Sequence, residues 1–487
     1  MLRRLLAAGL SCGFALLALP LAGDAEDALT ALLRSGARGS GNNSANVARN
    51  ADNEARDERL GGMAAPPGRA APGNAGWGGI DQPVSLPLVA HVAGLPFLQD
   101  LVNAAPAGTL LKLAPGRYSG PVVVNKPLHI DGGGQVTIDG GGKGTVFILA
   151  ANDSLLRGVR LTASGDSHDT DDACLNVRGD RNVLEDLTID DCLFGIDLKK
   201  SNDNVVRNNR IRSKPFDLGT RGDSLRLWYS QRNLIAGNMI EDARDMVAWY
   251  SNDNRYLGNE AKRSRYSIHF MFAANNLVEG NRFSDNAVGV YVMYSGGGAI
   301  RRNLFSHANG PTGMAVGFKE ASDVLVEENE IIYCGVGIGL DMSPFEPEST
   351  IRIRRNRIAY NGVGMSFLAD KDGTLIEGNV FEGNLTQVAM GDAGSARHNV
   401  WKNNYWDDYQ GFDRDHDAIG DRPHELYAYA DQLWMEVPYA RFFRNAPMME
   451  TLDFLERLAP FSTPVLLLRD EQPAFTRTPA RHPGVGE

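Results

Sequence analysis

Three side chains that bind soft metal ions lie close together in the sequence. His269 and Met271 belong to the segment SIHFMFA, and Met293 belongs to the segment GVYVMYS. Both segments alternate in the manner of β-strands, so His269 and Met271 point to one side and Met293 occupies the matching place in the second segment. Imidazole and thioether groups are ligands that Cu(I) prefers, and no carboxylate accompanies them. The pattern predicts a Cu(I) site formed by His269, Met271 and Met293.

Two earlier segments, SLRLWYS and MVAWYS, align with these two and extend the same surface. The alignment assigns one set of side chains to a core: Leu225, Leu227, Met246, Ala248, Ile268, Phe270, Val290 and Val292. Arg226, Trp228, Trp249 and Tyr291 then face outward. Exposed apolar surface marks binding sites, and aromatic and arginine residues are enriched at interface hot spots, so these four residues predict a partner-binding surface. The alternative is a second core, in which a long loop or the C-terminal segment covers this wall.

A second kind of metal chemistry is indicated near the C-terminus. Asp413, Asp415, Asp417 and Asp421 place carboxylates at mostly alternate positions, as calcium-binding loops do. The spacing is shorter than that of an EF-hand and lacks its distal glutamate, so it is closer to the aspartate-repeat loops of extracellular proteins. These four residues predict a calcium site, and a solvated acidic turn is the alternative.

The elements that would position these residues form a repeat. An asparagine recurs in similar contexts with a period of about 22 residues. The positions are Asn209, Asn238, Asn259, Asn281, Asn303, Asn329, Asn356 and Asn379. Two or three short apolar runs per period fit one turn of a parallel β-helix, in which each strand pairs with its counterpart one coil further on. Asparagine suits a tight turn because it tolerates left-handed backbone and hydrogen-bonds to the next coil.

This repeat predicts an all-β fold of about ten coils between residues 110 and 405. Six residues are expected to stack inside it: Leu227, Phe270, Val292, Val316, Leu340 and Phe367. The four domains that we predict are a signal peptide (1–25), a disordered linker (26–86), the β-helix (87–405) and a C-terminal region (406–487). A short helix before the first coil caps one end, and helical periodicity over 423–461 predicts a small, mostly helical cap at the other.

The cysteines and the overall charge add little to this interpretation. Cys174 and Cys192 could pair across adjacent coils or remain buried thiols, and Cys334 is expected in the core. The formal net charge of -11 argues against a nucleic-acid partner bound through bulk charge.

Several motifs together resemble one known family. RGDSLRLWYS, RDMVAWYS, RYSIHFMF, VGVYVMYS and the C-terminal NNYWDDYQGFDRDHDAIGD are similar to the NosD type of periplasmic β-helix protein, which serves nitrous-oxide-reductase maturation. The resemblance covers roughly residues 87–470 and implies a right-handed parallel β-helix that works with an ABC transporter permease and its ATPase in handing copper to the reductase. The segment 26–86 is not part of the family pattern, and His416 and Ala418 stand where the family tends to have glycine.

Two functions from different classes follow. The first is a non-enzymatic, copper-handling protein of the periplasm, held at the inner membrane through the transporter and docking a copper chaperone or nitrous-oxide reductase. The second is a polysaccharide lyase or hydrolase, a common activity of parallel β-helices. Such an enzyme needs paired carboxylates, or a Lys or Arg beside calcium, in a groove. Methionines on the outward wall favour the first function because Cu(I) sites use them and sugar sites have little need of them.

Overall fold

The structure is a computed structural model that describes residues 92–391, 394–428 and 465–477, together with residues 447, 451, 454 and 455. The predicted signal peptide and linker lie outside the described residues, as does most of the predicted C-terminal helical segment. Within the described part of the chain, no helix has the length and apolar character needed to cross a bilayer.

The described chain is a parallel β-helix, as predicted. Its short strands pair in parallel with their counterparts one coil away and form a 24-stranded and a 12-stranded sheet. The prediction of ten coils was too low, since the solenoid has about 13 turns. The asparagine repeat that gave the period begins at Asn209, and Leu187 occupies the same place in the preceding coil, where its N–H donates to Asn209 Oδ1. The coils before Asn209 therefore lack the ladder asparagine, and the period of the asparagines does not reveal them.

Each coil contributes a strand to up to three faces, which we call face 1, face 2 and face 3. Faces 1 and 2 together make the 24-stranded sheet because two long strands, His129–Asp139 and Leu155–Thr162, run through both. The other strands of face 1 are Leu110–Lys112, Val183–Glu185, Val205–Arg207, Leu234–Ala236, Arg255–Leu257, Leu277–Glu279, Ala299–Arg301, Leu325–Glu327, Ile351–Arg354, Thr374–Glu377 and Val400–Lys402. The other strands of face 2 are Gly116–Ser119, Thr188–Cys192, Arg210–Ser213, Met239–Glu241, Glu260–Lys262, Arg282–Ser284, Leu304–Ser306, Glu330–Ile332, Arg357–Ala359, Val380–Glu382 and Tyr405–Trp406.

Face 3 is the 12-stranded sheet and carries the predicted copper and partner-binding residues. Its strands are Val122–Val124, Phe147–Leu149, Ala173–Val177, Phe194–Lys199, Leu225–Trp228, Asp245–Trp249, Tyr266–Met271, Val288–Met293, Met314–Lys319, Val336–Asp341, Val363–Phe367 and Thr386–Met390.

The inward register of face 3 is confirmed with one change. All six residues predicted inside are buried. However, Val292 pairs with Phe318, and Val316 pairs with Val290 in the neighbouring inward column. The prediction that Val316 points inward was therefore right, but the prediction that it stacks on Val292 was wrong. Side chains two residues apart on a strand point the same way, so a shift of two leaves both residues inside.

The recurring asparagines form a buried asparagine ladder, from Asn209 to Asn404. In a typical step, Asn259 donates from its backbone N–H and from Nδ2 to Asn281 Oδ1, at 2.8 and 3.0 Å. One expectation was wrong: the left-handed residue is the one before the ladder position, for example Asn208 (φ 57°) or Gly280 (φ 67°), and not the ladder asparagine itself. The ladder side chain must point inward to reach the next coil, and the turn is made one residue earlier.

Both ends of the solenoid are closed. The helix Leu98–Ala104 packs Leu98 and Val102 into the core at the N-terminal end, as expected. At the other end, strands His424–Ala428 and Val465–Asp470 pair antiparallel. The helical periodicity assigned to 423–461 was therefore wrong for residues 424–428. This short strand is stabilised by a partner more than thirty residues further along the chain, and local periodicity does not reveal such a partner.

The cysteines behave in two ways. Cys174 and Cys192 form a disulfide with their Cα atoms 5.6 Å apart, which settles the alternatives left open by the sequence. Cys334 is buried in the core, as predicted, and burial raises the pKa of its thiol to about 12. A thiol with so high a pKa is unreactive near neutral pH.

Candidate functional site

Face 3 brings the three predicted copper ligands together on its outward side. Met271 pairs with Met293 on the next strand, and His269 pairs with Tyr291. The three residues are half-buried and occupy two adjacent coils, which lie roughly 4.8 Å apart in a parallel sheet. We call His269, Met271 and Met293 the His–Met cluster.

One contact in the His–Met cluster joins its two ligand types. His269 Nε2 lies 3.0 Å from Met293 Sδ. At this separation one metal ion can contact both atoms. The residues present therefore fit a soft ion such as Cu(I), which accepts imidazole and thioether ligands in low coordination numbers.

The surroundings of His269 keep its ring neutral. Burial, the largest cause, lowers the pKa of His269 to about 4; Asp245 opposes the shift. Arg265 and Arg244 lower it further by repulsion. At a pH near 7 the imidazole therefore carries no charge, and metal binding needs no loss of a proton from an imidazolium.

Arg226, one of the predicted partner-binding residues, is occupied by two ion pairs. Its guanidinium donates to Asp197 at 2.9 and 3.1 Å and to Asp171 at 2.9 Å, and its side chain is 15% exposed. Burial disfavours the charge, but Asp197 and Asp171 together hold the pKa of Arg226 above its ordinary value. Most of its donors are therefore satisfied within the chain.

The predicted partner-binding aromatics lie beside the His–Met cluster. The rings of Trp228 and Trp249 meet edge to face with centroids 4.8 Å apart. Tyr291 lies 6.3 Å from the His269 ring. A Cβ atom at Gly317 would lie 2.3 Å from Tyr291 Cδ2 and 2.7 Å from Met314 Sδ, so this glycine makes room for both side chains on face 3.

A row of aromatic residues at the corner after face 3 was missed. Tyr229, Tyr250, Phe272 and Tyr294 each follow a face 3 strand directly, and their rings stack from coil to coil. We call these four residues the aromatic ladder. The signal was present in the sequence, since an aromatic follows Trp228, Trp249, Met271 and Met293 in turn. It was overlooked because strand alternation does not extend into a turn.

The acidic loop assembles three of its four predicted ligands. Oxygen atoms of Asp413, Asp415 and Asp417 all lie within 4.8 Å of one another, and Asp421 stands outside this group. The loop is held by its own backbone: Asp413 accepts from His416 N at 2.7 Å and from Ala418 N at 3.1 Å. Desolvation, followed by repulsion from Asp417, raises the pKa of Asp415, as expected where carboxylates crowd.

The two residues at which the resemblance leads us to expect glycine lie in this loop. His416 and Ala418 both have left-handed backbone, with φ of 63° and 67°. Glycine adopts that conformation without the steric cost that histidine and alanine have there.

Comparison with known proteins finds similarity to one family. A family model described as "Periplasmic copper-binding protein (NosD)" matches residues 211–411, a range that contains the His–Met cluster. A Pseudomonas aeruginosa protein named "Probable ABC transporter binding protein NosD" is 28% identical over 404 residues, which cover 76% of this chain and 89% of the relative. A protein of the same name from Stutzerimonas stutzeri is 25% identical over 386 residues, covering 72% and 83%.

Over these residues the chain is similar to NosD-type proteins. The NosD family is described as periplasmic and copper-binding, and the curated relatives are named as binding proteins of ABC transporters rather than as enzymes. Among solved structures, the A-module of the Azotobacter vinelandii mannuronan C-5 epimerase AlgE6 aligns with 61% of this chain and 90% of that chain, at a TM-score of 0.44 and 15% identity.

Proposed function

We propose that this chain is a NosD-type protein that receives Cu(I) at the His–Met cluster and passes it on for maturation of nitrous-oxide reductase. It would work in the periplasm beside an ABC transporter permease and its ATPase, which would hold it at the inner membrane. A copper chaperone would supply the ion, and the reductase would be its destination. The observation that carries the proposal is the contact between His269 Nε2 and Met293 Sδ, a neutral imidazole against a thioether.

The chemistry of the cluster suits transfer more than storage. Thioethers bind Cu(I) without losing a proton, so an ion can move between partners by exchange of one neutral ligand for another. The ligands are half-buried on an outward face, where a partner's ligands can reach the ion. A fully enclosed site would hold its ion against such exchange.

Docking of partner proteins is assigned to the residues around the cluster. Trp228, Trp249 and Tyr291 supply aromatic area of the kind found at interface hot spots. Arg226 belongs to the same surface, but its pairing with Asp171 and Asp197 leaves it fewer donors for a partner. We assign to Arg226 a structural role at the border of the docking surface formed by Trp228, Trp249 and Tyr291.

A Cu(I) titration of the purified protein under anaerobic conditions tests the copper site. The unaltered protein is expected to bind Cu(I), and His269→Ala and Met271→Ala are each expected to weaken binding by roughly tenfold or more, since loss of even a supporting residue costs that much at metal sites. Tyr333→Ala, an exposed position on another corner, is the control and should bind like the parent. Equal affinity in all four proteins would place any copper elsewhere.

We also propose that Asp413, Asp415 and Asp417 hold a calcium ion, with Asp421 as a more distant contributor. Calcium that binds only the folded loop would stabilise it by about 2.7 kcal/mol at a hundredfold excess over Kd. Thermal melting in calcium is expected at a higher temperature than in chelator, and Asp415→Asn should remove the difference. Asp372→Asn, an exposed aspartate on another loop, should keep it. An identical melting curve with and without calcium would refute this site.

A further inference from the structure

The aromatic ladder has a geometry that restricts what it can bind. Centroid distances between successive rings are 4.8, 5.1 and 5.0 Å, and the rings lie within 7 to 15° of parallel. The rings are therefore stacked like coins along the solenoid axis. Phe272 has a ring on each side, Tyr250 and Tyr294, and is still 37% exposed. What it presents to solvent is consequently its edge.

This arrangement excludes stacking of a sugar ring on most of the ladder. A sugar uses the face of an aromatic ring, and the inner faces here are covered by neighbouring rings. At one end, Lys319 Nζ lies 5.6 Å from the Tyr294 ring centroid, over its outer face. At the other end, Trp228 approaches Tyr229 edge to face, at 5.6 Å.

Ring edges have their own electrostatic preference. The quadrupole of an aromatic ring makes its face negative and its edge positive. Thioether sulfur, with its exposed lone pairs, packs favourably about 5 Å from such rings and often at the edge. A row of four edges is thus complementary in charge to a segment that carries methionine side chains.

The ladder is also continuous with the His–Met cluster. Met271 directly precedes Phe272, and Met293 directly precedes Tyr294, so each ligand strand ends in a ladder ring. Trp249 connects the two surfaces, with its ring 6.3 Å from Tyr250 and only 17° from parallel. Whatever packs on the ladder lies next to the ligands.

We propose that the aromatic ladder docks a methionine-bearing segment of the protein that exchanges copper with this chain. The inference rests on the proposed function for its purpose, but the docking itself needs no copper. The partner's thioethers would pack against the edges of Tyr250 and Phe272, and the same segment would thereby be placed beside His269 and Met293.

The test uses the purified full chain without copper and a short glycine- and serine-based peptide carrying two methionines. A second peptide has norleucine in place of both methionines, which keeps the length and removes the sulfur. Calorimetry is expected to show that the methionine peptide binds roughly threefold to tenfold more tightly than the norleucine peptide. Phe272→Ala should weaken binding of the methionine peptide and abolish that preference.

Two further variants guard against trivial explanations. Phe272→Leu keeps apolar volume without a ring edge, so it should fold normally and lose the preference for methionine. Tyr333→Ala removes an exposed ring, 49% exposed and also left-handed (φ 57°), from the separate stack of His307, Tyr333 and Tyr360. That variant should bind the peptide like the parent. Melting curves of all variants establish that each is folded.

Several results would overturn the docking proposal. These are equal affinity for the two peptides, no binding of either, or a preference that survives in Phe272→Leu. Self-association that depends on the ladder rings would assign the surface to a second copy of the chain instead. If the methionine peptide does not bind but Cu(I) binding that depends on His269 is normal, the docking proposal fails and the proposed function stands. If the peptide binds normally but Cu(I) does not bind, only the copper site is rejected.

Discussion

Met271→Leu combined with Met293→Leu is expected to leave nitrous-oxide reductase short of copper while the protein itself folds normally. Leucine and methionine have similar volumes, and such exchanges cost under about 1.5 kcal/mol even in cores. These two side chains are half-buried, so the structural cost is smaller still. The thioethers, by contrast, are two of the three proposed ligands, and their loss should weaken Cu(I) binding by roughly a hundredfold or more.

The measurement is the copper content of the reductase purified from cells that carry the double variant. Met314→Leu is the matched control, since it makes the same exchange on face 3. The Met314 thioether packs near Gly317 and Gly339 on a strand that follows the two coils of the His–Met cluster, and it is not one of the proposed ligands. Cells with the control should metallate the reductase fully. Full metallation in the double variant as well would remove the methionine pair from the transfer route and leave only a docking role for this surface.

Asn281→Ala is expected to be the most destabilising single substitution proposed here. Asn281 Oδ1 accepts two hydrogen bonds from Asn259, at 2.8 and 3.0 Å. Asn281 Nδ2 donates to Tyr256 O and to Asn303 Oδ1, both at 2.9 Å. Alanine leaves at least two buried partner groups unsatisfied, at about 1 to 3 kcal/mol each. We therefore expect a loss of about 3 to 5 kcal/mol, concentrated in the neighbouring coils.

Chemical unfolding checks the size of this loss, and hydrogen exchange checks its place. The amides of Arg255–Leu257 and Leu277–Glu279 should exchange faster, while those of the first coils should change little. Asn309→Ala, at an exposed position, is the control and should stay within about 0.5 kcal/mol of the parent. A loss below 1 kcal/mol for Asn281→Ala would mean that the ladder bonds contribute little beyond what solvent replaces.

The fold could be predicted because its determinants repeat. One asparagine per coil gives the period, and strand alternation separates inward Phe270 from outward His269 and Met271. Neither signal depends on distant parts of the chain. The count of coils failed where the repeat itself changes, as at Leu187.

The site was only partly predictable, for reasons of distance and of local geometry. The proximity of His269 to Met293 follows from coil spacing alone. The pairing of Arg226 with Asp171 joins residues 55 positions apart, and nothing in the local pattern identifies that partner. The aromatic ladder stands on left-handed turn residues such as Tyr250 (φ 51°), to which strand periodicity does not apply.

The way the asparagine ladder ends affects whether molecules of this protein can associate end to end. Each rung donates in one direction, so the last coil presents donors with no further coil to accept them. Asp470, fully buried, accepts from Asn404 N and Nδ2 and from the Trp406 indole, at 3.0 to 3.2 Å. A carboxylate has no N–H that could donate to a further coil, so Asp470 ends the series of hydrogen bonds that another asparagine would continue. The C-terminal segment that carries Asp470 therefore covers the last coil. It prevents strands of a second molecule from pairing there and so opposes end-to-end polymerisation.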